Sequence, residues 1–450
     1  MGNERPPNRA TDTVTANLTG VNRVLRSLDA PTGIDRRTVP APSAFRWPEA
    51  REAGPHARIR KAVKRITRFD LFPRDEIVDG YARLLTTGDP VAERFVDETF
   101  LGDLGPQQSR ALLNKALDLG IDQVPEAPDS MRQLFAEFEV IPDWVDPELI
   151  EQGAAVWRRW GYTLGAIGNA GTLDTYTEGS LAVPLSLSGG YAGASALNRY
   201  LETTRWWIEV CRPGAALTPG SLGRRISMQV RVMHVSVRLR VAENAEWDSA
   251  RWGLPISQAE MMLTLLGGSV GPALGLYSLG YLTSPQEIRA AMHFNRYLGH
   301  LVGVQSEVFP KTVADGVRML YLFDATRSHD SGAAGTELVE SFVPSFAPRE
   351  DQTGLQRWRA KLHLHIQSGY TRLFMLPWNR KQYRLPSPWL GLTLLLARAP
   401  FITVLEAARR VSPAVDAAWQ RRSVQAWERW QRWASEHKPE QYIATNPLRR

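Results

Sequence analysis

The sequence predicts an all-α fold from Ile59 onward. Helix-start signals, in which Asp or Ser stands just before Pro or three residues before Glu, recur along the chain at helix-length intervals. The apolar residues between these signals repeat with the period of an α-helix. No strand–turn–strand alternation accompanies them. A hydrophobic fraction of 43% and a charged fraction of 22% are ordinary for a globular protein and allow a large core.

The N-terminal stretch, residues 1–55, is rich in Pro, Arg, Thr and Asn, and we expect a flexible or loosely docked arm. It has no apolar signal-peptide region, and the Arg36–Arg37 pair is not followed by the apolar run of a twin-arginine export signal. The nearest approach to a membrane span, Trp389–Leu405, is interrupted by Arg398 and Pro400. We therefore expect a cytoplasmic protein without a transmembrane helix.

The helices follow in chain order from their start signals. The first four with a clear start begin at Asp89, Gly105, Asp129 and Asp146. A Gly-, Thr- and Ser-rich stretch, 171–192, predicts a loop or broken helices near a site. Beyond it, a helix is predicted over 195–210, and further helices follow a Thr218–Ser221 cap and capping boxes at Ser257 and Ser284. Four more helices are predicted, from Pro310 to Phe323 and over 353–375, 387–410 and 413–436. Loops are predicted at 326–336 and 343–352.

Composition and missing motifs exclude several classes of function. The net charge of +7, from 54 basic and 47 acidic residues, is spread along the chain and gives no indication of nucleic-acid binding. The single cysteine, Cys211, excludes an intrachain disulfide and a cysteine metal cluster. The sequence also lacks a dinucleotide-binding G-x-G-x-x-G, a Walker loop, an H-E-x-x-H and a G-x-S-x-G motif. Nucleotide, zinc-protease and α/β-hydrolase chemistry therefore have no support.

The most informative stretch surrounds His234, with Arg231 three residues before it and Arg238 four residues after it. On a helix, these three side chains share one face. An imidazole between two guanidinium groups can bind a metal while the arginines hold an anion, and a haem offers both an iron and propionates. Two alternatives stay open. Val235–Val241 also alternates like a strand, which would put Arg231 on the opposite face, and a lone histidine can be an ordinary core residue.

Two further patterns each allow two interpretations. His293 and His300 share a helical face and could bind a metal, but no carboxylate completes the set, so a polar contact between helices is favoured. The last helix carries a stripe of tryptophans among many arginines, which suits either a membrane surface or packing against the body. We favour packing for this stripe, which consists of Trp419, Trp427, Trp430 and Trp433.

The pattern Arg-x-x-His-x-x-x-Arg at 231–238, preceded by Arg199-x-x-x-Thr203, resembles the rubber oxygenase family. This family includes the latex clearing proteins and MpaB-like fungal oxygenases. The stretch Arg296–Pro310 is similar to the family's last conserved block. The resemblance is strongest over residues 130–325. It implies an all-α, globin-like core with additional N- and C-terminal helices and one haem b.

The resemblance also implies a division of the chain and roles for single residues. Residues 56–345 would be the haem-binding domain, and 346–450 a helical extension packed on it. His234 would be the proximal ligand of the iron, and Arg199 and Thr203 would lie on the distal side, near O2 and substrate. Arg231 and Arg238 would be structural or would hold propionates. A distal Arg and Thr can donate hydrogen bonds to bound, partly anionic oxygen.

Family members cleave the C=C bonds of polyisoprenoids with O2, and we expect this chemistry on a polyprenoid-like substrate inside the cell. The chain departs from the family at Glu202, where the rubber-cleaving members have a lysine that can occupy the iron's free position. Glu178 and Glu202 are the candidates for a general base. The alternative is a cofactor-free helical scaffold that uses the Trp-rich last helix for peripheral contact with membranes or partners. Nothing in the sequence indicates an oligomeric state.

Overall fold

The computed structural model describes residues 40–47, 54–188 and 195–437. These residues form helices joined by turns and contain no strand, so the predicted all-α class is confirmed. Of the predicted arm, only residues 40–47 and 54–55 belong to the described ranges.

The helices of the first half are Gly54–Thr67 (α1), Asp75–Leu84 (α2), Pro90–Thr99 (α3), Gly105–Leu119 (α4), Asp129–Glu139 (α5), Pro147–Thr175 (α6), Gly179–Leu187 (α7), Ala196–Val210 (α8) and Leu222–Ala242 (α9). Those of the second half are Ser249–Trp252 (α10), Gln258–Gly267 (α11), Val270–Leu276 (α12), Pro285–Leu301 (α13), Val313–Thr326 (α14), Gly332–Phe342 (α15), Gly354–Phe374 (α16), Pro377–Arg380 (α17), Trp389–Ala397 (α18), Ala399–Val411 (α19) and Pro413–His437 (α20).

Helix α6, 29 residues long, is the axis of the fold and packs against α13, α16 and α20. It begins at the N-cap residue Asp146, whose side chain accepts two backbone N–H groups of the first turn. Two glycines allow its neighbours to come close. A Cβ at Gly153 would overlap the backbone of Ala290 on α13, and one at Gly161 would overlap the Trp427 ring on α20. Because these two positions have no side chain, α6 packs closely against both α13 and α20.

Buried charges attach the C-terminal helices to α6. Arg159 donates to both carboxylate oxygens of Asp416, at 2.6 and 2.8 Å, just after the start of α20. The Trp160 indole donates to Glu406 of α19 at 2.7 Å. Because a buried charge that loses its partner is costly, these pairs fix how α19 and α20 lie on the body.

The tryptophans near the end of α20 face the body rather than solvent. Trp427, Trp430 and Trp433 are buried, and the exposed positions between them include Arg429 and Arg432. This is the packing alternative of the sequence analysis. The scaffold hypothesis requires this stripe on the surface, and these three indoles are not available there.

Most predicted helix starts agree with the structure. Ser221 caps α9, and Ser257 and Ser284 form the capping boxes of α11 and α13. The stretch 171–188 is helical apart from one turn, so the broken-helix alternative holds there, and 189–194 lies outside the described residues. The loop predicted at 326–336 is wrong beyond Gly332, because α15 begins there and buries Leu338 and Phe342.

Two helical stretches have the length and apolar composition of a membrane span, judged over the described residues. The first, Gln258–Leu279, has 61% of its most apolar window buried, as expected for a core helix. The second, Trp389–Val411, has only 17% of its window buried. Length and composition alone do not distinguish a span from a core helix.

Candidate functional site

The stretch around His234 is helical, since it forms the middle of α9. The Ser221 side chain starts this helix by accepting the backbone N–H of Arg224 at 3.3 Å. Tertiary packing thus overrides the strand-like alternation of Val235–Val241. Arg231, His234 and Arg238 consequently lie along one face of α9, at the spacing that the motif requires.

Arg231 is held by two carboxylates from other helices. Its Nε and Nη2 donate to the two oxygens of Asp89 at 2.7 and 2.8 Å, and Nη2 also donates to Glu137 at 2.6 Å. The Arg231 and Asp89 side chains are 2% and 4% exposed. These acidic neighbours, through their charges and hydrogen bonds, raise the pKa of the guanidinium above its ordinary value despite burial. Arg231 therefore ties α9 to the start of α3 and to α5.

Arg238 is equally well held. It donates to the carbonyl of Ile256 at 2.6 Å and to Glu93 of α3 at 3.0 Å, and its side chain is fully buried. Both motif arginines thus donate hydrogen bonds to protein acceptors. Of their two implied roles, this supports the structural role. The binding of a propionate by either arginine stays a prediction, and the Nη1 of Arg231 has no hydrogen-bond partner among the described residues.

His234 lies between Arg231 and Arg238 on α9, and one of its ring nitrogens makes no hydrogen bond within the described residues. Its ring is half-buried, while Nδ1 is buried and has no hydrogen-bond partner within the described part of the chain. Burial, together with the positive charges of Arg238 and Arg199, lowers the pKa of His234 from 6.5 to about 4. The imidazole is therefore neutral at pH 7, the form in which a histidine binds a metal.

The predicted distal residues lie on the neighbouring helix α8, which packs against α9. The positive charge of Arg199 is near enough to His234 to contribute to the lowering of its pKa. Arg199 donates to Glu202 at 3.2 Å, and Glu202 is largely exposed. Thr203, one helical turn after Arg199, is also exposed. The structure thus brings Arg199 to His234 and leaves Glu202 and Thr203 on an open face.

A neutral, unpartnered imidazole fixed between two braced arginines fits an axial ligand of a haem iron. In the described ranges, no group of three or more His, Cys, Asp or Glu side chains is arranged to hold a metal ion. A porphyrin supplies four nitrogens itself and needs only one such histidine from the protein. The donor set around His234 therefore suits a haem better than a bare ion.

The second histidine pair contacts neighbouring helices instead. The His293 Nε2 accepts the backbone N–H of Asp146 at 3.0 Å, and the His300 Nε2 lies 3.2 Å from the carbonyl of Val140. These contacts match the favoured alternative, a polar contact between helices.

Glu178 is buried next to the N-terminus of α7 and accepts the backbone N–H of Ser328 at 2.8 Å. Burial raises the pKa of its carboxyl group. Burial likewise raises the pKa of Glu260, on α11, to about 7. The negative charge of Glu178 contributes to this rise in the pKa of Glu260. The sequence indicates Glu260 only as a capping-box residue and gives no signal that the two carboxyl groups lie near each other.

The carboxylates that brace the motif were also not assigned to it from the sequence. Asp89 was recognised as a helix cap, but its contact with Arg231 spans 142 residues. Glu93 and Glu137 carry no local pattern of their own. The signal that could have found them is the cost of burying two arginines, which demands acidic partners somewhere in the chain.

Comparisons with known proteins identify the family and the fold. The family model described as "ER-bound oxygenase mpaB/B'/Rubber oxygenase, catalytic domain" matches residues 154–407, which is more than half of the chain. A solved structure of latex clearing protein in the closed state is similar at 20% identity, with a TM-score of 0.53, over 75% of this chain and 88% of that one. The likeness at this identity concerns the fold. No curated protein matches. The chain belongs to the family of the MpaB and rubber oxygenase catalytic domains.

Proposed function

We propose that this protein is a haem b oxygenase that uses O2 to cleave or oxygenate C=C bonds of a hydrophobic, polyprenoid-like substrate. The observation that carries the proposal is the neutral imidazole of His234, whose Nδ1 has no hydrogen-bond partner among the described residues, between Arg231 and Arg238 in an oxygenase-family chain. The substrate class is supported by the rubber oxygenase description of the family.

His234 would hold a haem, which would supply an iron for oxygen chemistry. The chain's own residues would do the rest. Asp89 and Glu93 hold the arginines on both sides of His234, which keeps the imidazole in place. The low pKa of His234 leaves the ring unprotonated and able to bind. The Arg199 guanidinium would donate hydrogen bonds to partly anionic oxygen, a preorganised electrostatic stabilisation.

Glu202 is where this chain differs from its lysine-bearing relatives. Its carboxylate accepts from Arg199 at 3.2 Å. We propose that Glu202 orients Arg199, and that the open face of α8 admits substrate beside Thr203. Glu178 stays the alternative base. The hydrogen bond that it accepts from the backbone N–H of Ser328 holds the carboxylate in place, and burial raises the pKa of its carboxyl group.

Absorption spectra of the purified protein, ferric and dithionite-reduced, with a pyridine haemochrome assay, test the cofactor. We expect a Soret band at about one haem b per chain. The His234→Ala variant should lose the band, while the matched His293→Ala variant should keep it, because His293 contacts the Trp144 ring and the backbone N–H of Asp146. Full haem occupancy in His234→Ala would remove the ligand assignment, and a wild type that stays colourless after reconstitution would remove the haem.

We place the protein in the cytoplasm as part of the same proposal. Its one cysteine, Cys211, is buried, and burial raises the pKa of the thiol, so it stays protonated and unreactive in a reducing compartment. Fractionation of the source cells would test the assignment, since recovery of the native protein in an exported fraction contradicts it.

A further inference from the structure

The apolar stretch Trp389–Val411 forms two short helices that lie on the outside of the protein. Seven of the nineteen exposed large apolar side chains among the described residues lie within these 23 positions. We call these seven the apolar ridge, which consists of Trp389, Leu390, Leu394, Leu396, Phe401, Val404 and Val411. A monomeric soluble protein seldom exposes so concentrated an apolar surface without a binding partner.

From Trp389 to residue 408 the outer surface of these helices carries no charge, because both ionisable residues of this range point inward. Arg398 donates to the hydroxyl of Tyr370 at 2.7 Å. Glu406 is fully buried and accepts from the Trp160 indole. The exposed positions of 389–408 belong to Trp, Leu, Thr, Ala, Pro, Phe and Val. The two charges that interrupt this stretch in the sequence therefore do not interrupt its outer surface.

The segment around the ridge is basic. Residues 377–415 contain six Arg or Lys residues and one acid, which is the buried Glu406. Lys381 and Arg384 are exposed just before the ridge, and Arg410 is exposed near its end. A charge-free apolar surface between exposed cations is complementary to a lipid bilayer with anionic headgroups.

The way these helices are attached to the body favours lying along a bilayer surface over crossing it. Helix α18 would be about 14 Å long and α19 about 20 Å, both shorter than a hydrocarbon core of about 30 Å. The inner face of α18 is packed tightly on α16, since a Cβ at Gly391 would overlap the backbone of His365. Leu395 is 1% exposed on that same face. Only one side of each helix is thus free for lipid.

From the uncharged ridge and its basic rim we propose that α18 and α19 dock this protein peripherally on anionic membranes. A second copy of the chain is a weaker candidate for the partner, because the exposed cations at both ends would meet each other across a symmetric contact. The helix that carries α18, α16, exposes one more large aromatic side chain, Trp358, seven residues before His365. The docking does not depend on the proposed haem chemistry.

Vesicle flotation of the full-length protein tests the proposal. The wild type should float with vesicles of phosphatidylcholine and phosphatidylglycerol, and less with phosphatidylcholine alone or in high salt. Phe401→Ser/Val404→Ser should lower the bound fraction about tenfold, because two apolar contacts are lost without any change in charge. Lys381→Ser/Arg384→Ser should weaken binding to the anionic vesicles only.

The matched control is Ile66→Ser/Leu119→Ser, which removes two exposed apolar side chains away from the ridge and should float like the wild type. Thermal unfolding followed by circular dichroism checks that all variants fold. The proposal is overturned if the wild type does not float, or if the ridge variant floats as well as the wild type. It is also overturned if the wild type is a dimer and the ridge variant becomes a monomer without any change in its binding to vesicles.

Discussion

Helices α8 and α9 pack together, carry the residues of the proposed haem site and are built in opposite ways. On α9, Arg231 and Arg238 are buried and bonded to carboxylates and carbonyls from other parts of the chain. On α8, Arg199 keeps a quarter of its side chain exposed and contacts Glu202 three residues away on its own helix. One side is fixed by long-range buried charges, and the other carries its polar groups on an open face.

The difference follows from what each side would have to do. A group that binds a cofactor must be held in one position, and buried ion pairs with defined geometry provide that at a high cost if one partner is lost. A face that meets a large apolar substrate must stay accessible, and exposed ion pairs contribute little to stability. We therefore expect substitutions on α9 to change folding and substitutions on α8 to change chemistry.

The largest expected change in stability is that caused by Arg231→Met. The variant leaves Asp89 buried without its partner, which should lower the free energy of unfolding by about 3–5 kcal/mol. Urea denaturation at pH 7 measures this change. The matched variant on the open side, Arg199→Met, should cost less than about 1 kcal/mol, since its ion pair is partly exposed. If the two variants lost equal amounts of unfolding free energy, the proposed difference between a rigidly held α9 and an open α8 would be wrong.

A smaller effect concerns the pH dependence of the cofactor-free protein. The pKa of His234 is lowered to about 4 in the folded state, against 6.5 when unperturbed, so the unfolded chain binds the proton more readily in this window. The free energy of unfolding should therefore fall as the pH drops from about 6.5 to about 4, by up to about 1.4 kcal/mol per pH unit from this group alone.

Comparison with His234→Gln isolates this contribution, because other histidines, such as His363, titrate in the same window. Denaturation curves across the window should give a shallower slope for the variant than for the wild type. Parallel slopes would show that the site does not hold His234 in its neutral form.

The sequence predicted the helices better than the contacts between them. Caps such as Ser257 and Ser284 are local, since the side chain and the backbone groups that it satisfies lie within one turn. The position of α9 on the body depends instead on Asp89 and Glu137, at separations of 142 and 94 residues. No local period records such pairs, so a single sequence cannot reveal them.

The same limit applies to surfaces. Arg398 appeared to interrupt an apolar run in the sequence, yet its side chain turns inward to Tyr370. The tryptophans of α20 suggested a membrane contact as one alternative, yet Trp427 and Trp430 are buried. In both cases the residue type indicated what the side chain could do, while the direction in which it points depended on tertiary packing.

A still smaller change in stability, with a larger spectroscopic effect, is expected for Glu202→Lys. The substitution replaces an ion pair with a like-charge neighbour of Arg199, at a cost of less than about 1 kcal/mol on an exposed face. If His234 holds a haem, the new amine would be a possible further ligand for its iron, and the ferric spectrum should shift. Glu202→Gln is the control and should leave the spectrum unchanged, because an amide does not replace the lysine.

The smallest effect on stability is expected for Thr203→Val, a change of nearly equal size at an exposed position. The free energy of unfolding should change by less than about 0.5 kcal/mol. Oxygen consumption with a polyprenoid substrate should nevertheless fall, since the valine cannot donate a hydrogen bond beside Arg199, and Thr203→Ser should retain it. Unchanged turnover in the valine variant would leave Arg199 as the only group of α8 that acts on oxygen. The open face would then serve substrate entry alone.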